Sequence, residues 1–254
     1  MARFRAGVQL PPQHTSVAEL RRAWRAADEL GVNSIWLWDH FVPLYGAADG
    51  AHFESWSLLA AMAVETERAH IGVLVTGNPY RNPDLLADMA RTIDHLSEGR
   101  VYLGIGAGWL ERDHAAYGYR FGTTEERLAG LATSLPRIRA RLDALVPGPA
   151  GDLPLLVGGG GERVTLRLVA EHADAWNTFG PVERFRHKNA VLDEHCAAVG
   201  RHPGEIERTV LLGGVAEIDQ VDAYADAGAT HFILAVGAPF DLSPVRRLLE
   251  ATHG

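Results

Sequence analysis

The chain has 254 residues, 47% of them hydrophobic and 22% charged, which is enough apolar material for one large domain or two small ones. A formal net charge of −8 argues against wrapping nucleic acid, and no uncharged apolar run reaches the roughly 18 residues that a membrane span needs. The single cysteine, Cys196, excludes an internal disulfide. It sits in the helix-like run NAVLDEHCAAVG and reads as a buried structural thiol. The stretch MARFRAGVQLPP lacks the apolar segment of a signal peptide, so a soluble cytoplasmic protein is expected.

RFRAGVQL reads as a strand. SVAELRRAWRAADELG reads as a helix, with Ser16 as N-cap, Glu19 three residues on, and Gly31 as its stop. SIWLWDHF is a second strand, ESWSLLAAMAVET a helix and AHIGVLVTG a third strand. NPDLLADMARTIDHLSEG is a helix that starts Asn-Pro and ends in Gly99, and RVYLGIGAG is a strand. TEERLAGLATSLPRIRARLDAL is helical, with a kink or split expected at Pro136. LPLLVGG is a strand, followed by the helix ERVTLRLVAEHA, the short strand DAWNTF and the helix VERFRHKNAVLDEHCAAVG. RTVLLGGVAEI, VDAYADAGA, THFILAV and SPVRRLLEATHG then read as strand, helix, strand and helix.

Strand and helix alternate throughout, which predicts a mostly parallel sheet. Eight such units in this length match a single-domain α/β chain folded as a (β/α)8 TIM barrel, compact and with shortened loops. A doubly wound open sheet is the alternative. In a barrel the chemistry sits where strands run into helices. Those ends carry Asp39 and His40, Thr76 to Asn78, Gly106 to Trp109, Gly158 to Gly161, and Trp176 and Asn177.

Four consecutive glycines, Gly158 to Gly161, lie between a strand and a helix that is expected to begin directly after them. They can pack a turn, or they can offer bare amides and a helix N-terminus to a phosphate. The run is neither a Walker loop nor a dinucleotide fingerprint. In SIWLWDHF, strand alternation puts Trp36, Trp38 and His40 on one face and Ile35, Leu37 and Asp39 on the other. An Asp39–His40 pair at the end of a barrel strand would place an ionisable imidazole at a ligand mouth. GIGAGW bares one strand face through Gly104, Gly106 and Gly108, so that a flat ring or backbone can approach, unless it simply packs a tight barrel interior. Arg81 can meet an anion or lie on the surface. Twelve histidines form neither HxxxH nor HxH, so no metal site is expected. No G-x-S-x-G supports a serine hydrolase.

Taken together, SIWLWDHF, VTGNPYRNP, GRVYLGIGAGW followed by AAYGYRF, and VGGGGERVTLRLVAEHADAWN resemble the luciferase-like monooxygenase superfamily, most closely its branch that uses the deazaflavin coenzyme F420. These motifs run in the expected order over roughly residues 1–180, and AYADAGATHFIL resembles the family's last helix–strand unit. The resemblance implies a (β/α)8 barrel and an oxidoreductase that moves hydride between the deazaflavin and a small carbonyl, alkene, imine or alcohol. It implies that Asp39 and His40 lie beside the reactive ring, with His40 exchanging the proton. A bulge at Leu74, Val75 and Thr76, often with a non-proline cis peptide, would back that ring. Gly106, Gly108, Gly158, Gly159, Gly160, Gly161, Arg163 and Asn177 would contact the cofactor. Trp38, Phe53, Tyr80 and Trp109 would line the substrate pocket. Arg163 and Arg167, spaced i,i+4 on one helix face, with Arg184, Arg186 and Lys188 on the next helix, would offset the acidic tail of the coenzyme. The branch that oxidises glucose-6-phosphate carries a glutamate where this chain has Trp109, and its sugar-phosphate lysines find no match. A homodimer is expected, because dimers recur in the family and short loops leave the site to be covered. The alternatives are a flavin mononucleotide (FMN) monooxygenase of the same superfamily and a non-catalytic cofactor-binding homologue.

Overall fold

A computed structural model describes residues 4–253; Arg3, which opens the first predicted strand, and Gly254, which ends the last predicted helix, lie outside them. Eight parallel strands close on themselves. They are β1 (Arg5–Gln9), β2 (Ser34–Leu37), β3 (His70–Val73, resuming at Thr76–Gly77) and β4 (Val101–Gly106), then β5 (Leu155–Gly158), β6 (Ala175–Phe179), β7 (Glu207–Leu212) and β8 (His231–Ala235). Each strand pairs with the next, and β8 returns to β1 with Arg5 opposite His231 and Gln9 opposite Ala235. That closure leaves no sheet edge and excludes the open doubly wound alternative. The helices are α1 (Val17–Leu30), α2 (Ser55–Glu65), α3 (Pro83–Leu96), α4 (Glu111–Tyr117) and α5 (Thr124–Ala144), followed by α6 (Thr165–His172), α7 (Val182–Ala198), α8 (Val221–Asp226) and α9 (Ser243–His253). Among the described residues no helix is long and apolar enough to cross a membrane.

Local chemistry sets the helix ends. Ser16 and Glu19 form the expected capping box on α1, and Gly31 closes that helix in the left-handed region at φ 89°. Asn82 caps α3, with Pro83 in its first turn. Pro136 lies inside an uninterrupted α5 rather than splitting it. An interior proline costs about 3 kcal/mol. Here a Thr123–Glu126 capping box and the burial of Leu131, Leu135, Ile138 and Leu142 oppose that cost. The segment VAEI is a 3-10 turn (Val215–Gln220) rather than strand, because β7 ends before Gly213 and Gly214.

Strand alternation divides the core in two. Ile35, Leu37, Ile71, Val73, Leu103 and Ile105 face the helices. Trp36, Leu74, Tyr102, Leu156, Ala175 and Ile233 form a separate buried cluster that fills the barrel.

The floor of the barrel is a polar plug that the sequence reading did not foresee. Trp36 Nε1 donates to Ser34 Oγ at 2.7 Å, and Ser34 Oγ lies 2.7 Å from His231 Nε2. His231 Nδ1 is 3.2 Å from Glu207, which also accepts from Arg5 at 2.8 Å and from Tyr102 at 3.0 Å. Burial holds His231 below the ordinary histidine range, so it is neutral and its protons can be placed. Nδ1–H donates to Glu207, and Nε2 accepts from Ser34. Serine, histidine and glutamate here resemble a catalytic relay, but Ser34 and His231 are both fully buried. Ser34 Oγ would lie 2.1 Å from a Cβ at Gly7, so no substrate can reach it.

Burial works against ionisation of Glu207, but bonds from His231, Arg5 and Tyr102 hold its pKa down to about 2. Burial also lowers His52 to about 4 and depresses His70. All these folded-state values lie below their unfolded ones. The folded chain therefore binds fewer protons, and stability must fall as pH drops, first below the ordinary histidine value near 6.5 and then through the Glu207 window below about 4.5. The melting temperature is expected to decline steadily from pH 7 to pH 4. A flat or rising profile by circular dichroism would contradict the neutral-histidine assignment.

Candidate active site

Strand β3 carries one residue more than its neighbour. Gly72 pairs with Tyr102 and Thr76 with Ile105, four steps on one strand against three on the other. The extra residue makes a β-bulge, and the peptide Leu74–Val75 is cis and non-proline. Gln9 Nε2 donates to the Leu74 carbonyl at 2.9 Å, and the Leu74 N–H donates to Leu37 O at 2.7 Å. The Val75 isopropyl group then rests where neighbouring strands have no side chains. A Cβ on Gly106 would stand 2.8 Å from Val75 Cγ2, and one on Gly158 would stand 2.9 Å from Val75 Cγ1. Of the candidates for what approaches the bare glycine face, the structure shows the chain's own bulge. The open faces of Gly106 and Gly158, expected at the cofactor, are filled by Val75.

Asp39 and His40 are sequence neighbours that part company. Strand β2 ends at Leu37, short of the predicted WDHF. Asp39, 2% exposed, accepts two bonds from Arg81, at 2.5 and 3.1 Å, and one from the Gly77 N–H at 3.1 Å. Arg81 also donates to Glu54 at 2.7 Å. Burial lifts the Asp39 carboxyl above its ordinary value against the pull of Arg81. Burial likewise works against the Arg81 charge, but its two carboxylate partners outweigh it, so Arg81 stays a cation and the pair remains ionic. The anion that Arg81 meets is therefore internal.

His40 turns the other way. Its Nδ1 lies 2.6 Å from Asp113 Oδ2, on α4, a helix the sequence reading did not assign. The ring meets Trp38 and Trp109 edge-on, with centroids 5.6 and 5.7 Å away. Trp109 is 65% exposed and stands at the mouth. Trp38 is buried and donates through Nε1 to His52 at 3.1 Å. Tyr80, expected in the pocket, is buried one layer behind it, with its hydroxyl on Asp113 at 3.0 Å. Phe53 packs against the main core. Thr76 is buried and accepts from Trp56 Nε1 at 3.2 Å.

The glycine turn is fixed from β6. The Gly159 N–H donates to Asn177 O at 3.0 Å, and Trp176 Nε1 donates to Gly159 O at 2.7 Å. At φ 130° Gly159 adopts a conformation that other residues reach only with strain. The Asn177 side chain is committed to Thr209 Oγ1, 2.7 Å away. The Gly160 Cβ position lies 3.7 Å from the Lys188 stem. Gly108, at φ 78°, packs near Pro79. Helix α6 begins at Thr165, not directly after the glycines, so Arg163 lies in the preceding turn and shares no helix face with Arg167. The expected cationic face is also largely neutralised. Arg167 pairs with Glu171, Arg186 with Glu183, and Lys188 with Glu162. Among the described residues, Arg163 and Arg184 are the two of this set that are exposed and without an ion pair.

A family model described as luciferase-like monooxygenase matches residues 1–254. The F420-dependent glucose-6-phosphate dehydrogenase of Amycolatopsis mediterranei is 37% identical over 116 residues, covering 44% of this chain and 34% of that protein. The protein of the same name from Intrasporangium calvum is 33% identical over 251 residues, covering 90% of this chain and 71% of that protein. The chain thus spans from about a third to about seven-tenths of the length of these relatives. Among solved structures, an F420-dependent secondary alcohol dehydrogenase in complex with an F420–acetone adduct superposes with a TM-score of 0.87 at 15% identity, over 98% of both chains. That likeness supports the barrel itself.

Gly106→Ala should push Val75 out of its seat and cost about 1–3 kcal/mol, the usual range for overpacking. Adding Val75→Ala should recover part of that loss, which a double-mutant cycle in urea measures. Strictly additive losses would mean that the glycine face does not hold the bulge.

Proposed function

Because the chain belongs to the luciferase-like monooxygenase family, we propose that it is a coenzyme F420-dependent oxidoreductase acting on a small uncharged organic substrate. The observation that carries this reading is one mouth of the barrel that presents both His40, backed by Asp113, and the bare glycine turn at the end of β5. The turn suits a phosphodiester. Gly159 to Gly161 have no side chains, the turn is pinned by Asn177 and Trp176, and the Lys188 stem lies alongside. Gly159, Gly160, Gly161 and Arg163 would hold the coenzyme's phosphate and tail, and the bulge at Leu74–Val75 would back its ring. When bound, the deazaflavin supplies a carbon centre that accepts or gives hydride. His40 holds or releases the substrate's proton at Nε2. Trp38 and Trp109 fix the imidazole and shield it from water on two sides. The names of the relatives support the coenzyme.

Their sugar phosphate is not carried over. The chain has a single lysine, Lys188, and it is paired with Glu162. Arg81 is spent on Asp39 and Glu54. The group beside His40 at the mouth is the indole of Trp109. An aromatic wall beside His40 suits a small carbonyl, alkene, imine or alcohol. Fluorescence titration of F420 and FMN at low and high salt tests the coenzyme. F420 should bind more tightly and lose more affinity with salt, because Arg163 and Arg184 remain to meet its carboxylate tail. Tighter binding of FMN would move the chain to the flavin monooxygenase reading.

A two-fold dimer is part of the same proposal. A groove of about 480 Å³ between α2 and α3 is lined by Trp56, Ala60, Leu85, Met89 and Leu96. Leu85 and Leu96 are exposed, as is Val64 on the adjacent face of α2. Glu54, the second partner of Arg81, lines one end of the groove, so a partner seated there would bear on the site. Leu85→Glu should convert the dimer to monomer by light scattering at micromolar concentration. A monomeric wild type would remove the interface.

A further inference from the structure

We propose that Asp113 is the positioning residue that fixes His40 as its Nδ1–H tautomer and leaves Nε2 as the nitrogen that exchanges a proton with substrate. The inference rests on His40 as the proton-exchanging group, but its geometry belongs to the apoprotein. Asp113 has a fully buried side chain and receives four donors. Its Oδ1 accepts from the backbone N–H of Phe41 at 2.8 Å and of Val42 at 3.3 Å. Its Oδ2 takes Tyr80 Oη at 3.0 Å and faces His40 Nδ1 at 2.6 Å.

Burial alone would raise the Asp113 carboxyl, but the bonds from His40, the Phe41 N–H and Tyr80 overcome it and hold it below the usual carboxylate range. Tyr80 is moved the other way, upward, by burial and by Asp113 itself, so its hydroxyl keeps its proton and donates. An ionised carboxylate can only accept, so the proton between the two groups belongs to His40 Nδ1. In the neutral ring Nε2 is then a bare lone pair. No described residue is bonded to it, while Trp38 and Trp109 hold the ring plane.

The nearby imidazole of His52 does not compete. Burial holds it down to about 4, and its Nε2 accepts from Trp38. Asp39, the sequence neighbour of His40, faces Arg81 and Gly77 instead.

Protons and electrons balance in both directions. In alcohol oxidation the substrate hydroxyl proton passes to Nε2. A bound deazaflavin would supply the acceptor for the carbon-bound hydrogen and its electron pair, as the C–O bond becomes C=O. The imidazolium keeps its Nδ1–H on Asp113, which remains a carboxylate throughout. In reduction Nε2–H returns the proton to the nascent alkoxide, with every other transfer reversed. Without the fixed tautomer part of the neutral population would present an N–H to the substrate, and that part could not accept the proton.

Nitrogen-15 NMR of histidine-labelled apoprotein reads this directly. With its ring neutral, wild-type His40 should show a protonated Nδ1 and a bare Nε2. Asp113→Asn can offer its amide N–H₂ to Nδ1, so its resonances should shift toward the Nε2–H form. Its F420 affinity by fluorescence should stay unchanged. Tyr80→Phe, which removes one donor and leaves the carboxylate, should keep the wild-type tautomer. A wild-type ring protonated on Nε2 would overturn the proposal even if the Asn variant failed to fold. An Asn variant with the wild-type tautomer would overturn it as well. Failure of the protein to bind F420 would sink the coenzyme reading and leave the tautomer measurement intact.

Discussion

One inserted residue in β3 sets the geometry of the mouth. The strand cannot carry it flat, so the chain bulges at Leu74 and Val75, and its neighbours accommodate it. Gly106 and Gly158 leave room for the Val75 isopropyl group, and Gln9 ties down the Leu74 carbonyl from β1. The bulge therefore draws together β1 to β5, since Leu37 of β2 accepts from the Leu74 N–H. It also aims the next stretch of chain, because the Gly77 N–H just beyond it donates to Asp39. Arg81, one turn later, completes the grip on that carboxylate.

The site then holds two acidic centres with different duties. Asp39 is neutralised by a bidentate arginine and serves the frame. Asp113 is satisfied by neutral donors and one imidazole, and in the proposed reaction it serves the proton. Their separation matters because a single carboxylate shared between Arg81 and His40 would be drawn to the stronger cation. Arg81 keeps to Asp39 and Glu54, and Asp113 stays available to His40.

The barrel was legible because its signals are local and repeated. Alternating runs such as SIWL and capped helices such as the one after Ser16 report their own structure within a few residues. The position of the bulge came from the resemblance; its seat did not, because Gly104 and Gly106 can be read as an opening as easily as a socket. WDHF misled as to length, because β2 ends at Leu37, before Asp39 and His40. Trp38 and His40 still meet while Asp39 turns away to Arg81. Asp113 left no signal, since 73 residues separate it from His40 and it lies in a stretch, LERDHAAYGY, with no readable period. The floor network was invisible for the same reason, its members being strand-start residues that only closure of the barrel brings together. The cations after the glycines are visible as residues, but which carboxylates pair with them is settled only by the fold, which brings Glu162 to Lys188 from 26 residues away.

The plug beneath the barrel closes one route of access. Its hydrogen bonds run in one direction from Trp36 through Ser34 and His231 to Glu207, and the apolar cluster above it is closed. A molecule bound among the strand ends is therefore reached from the mouth and not through the floor, where Ser34, Trp36 and His231 are fully buried.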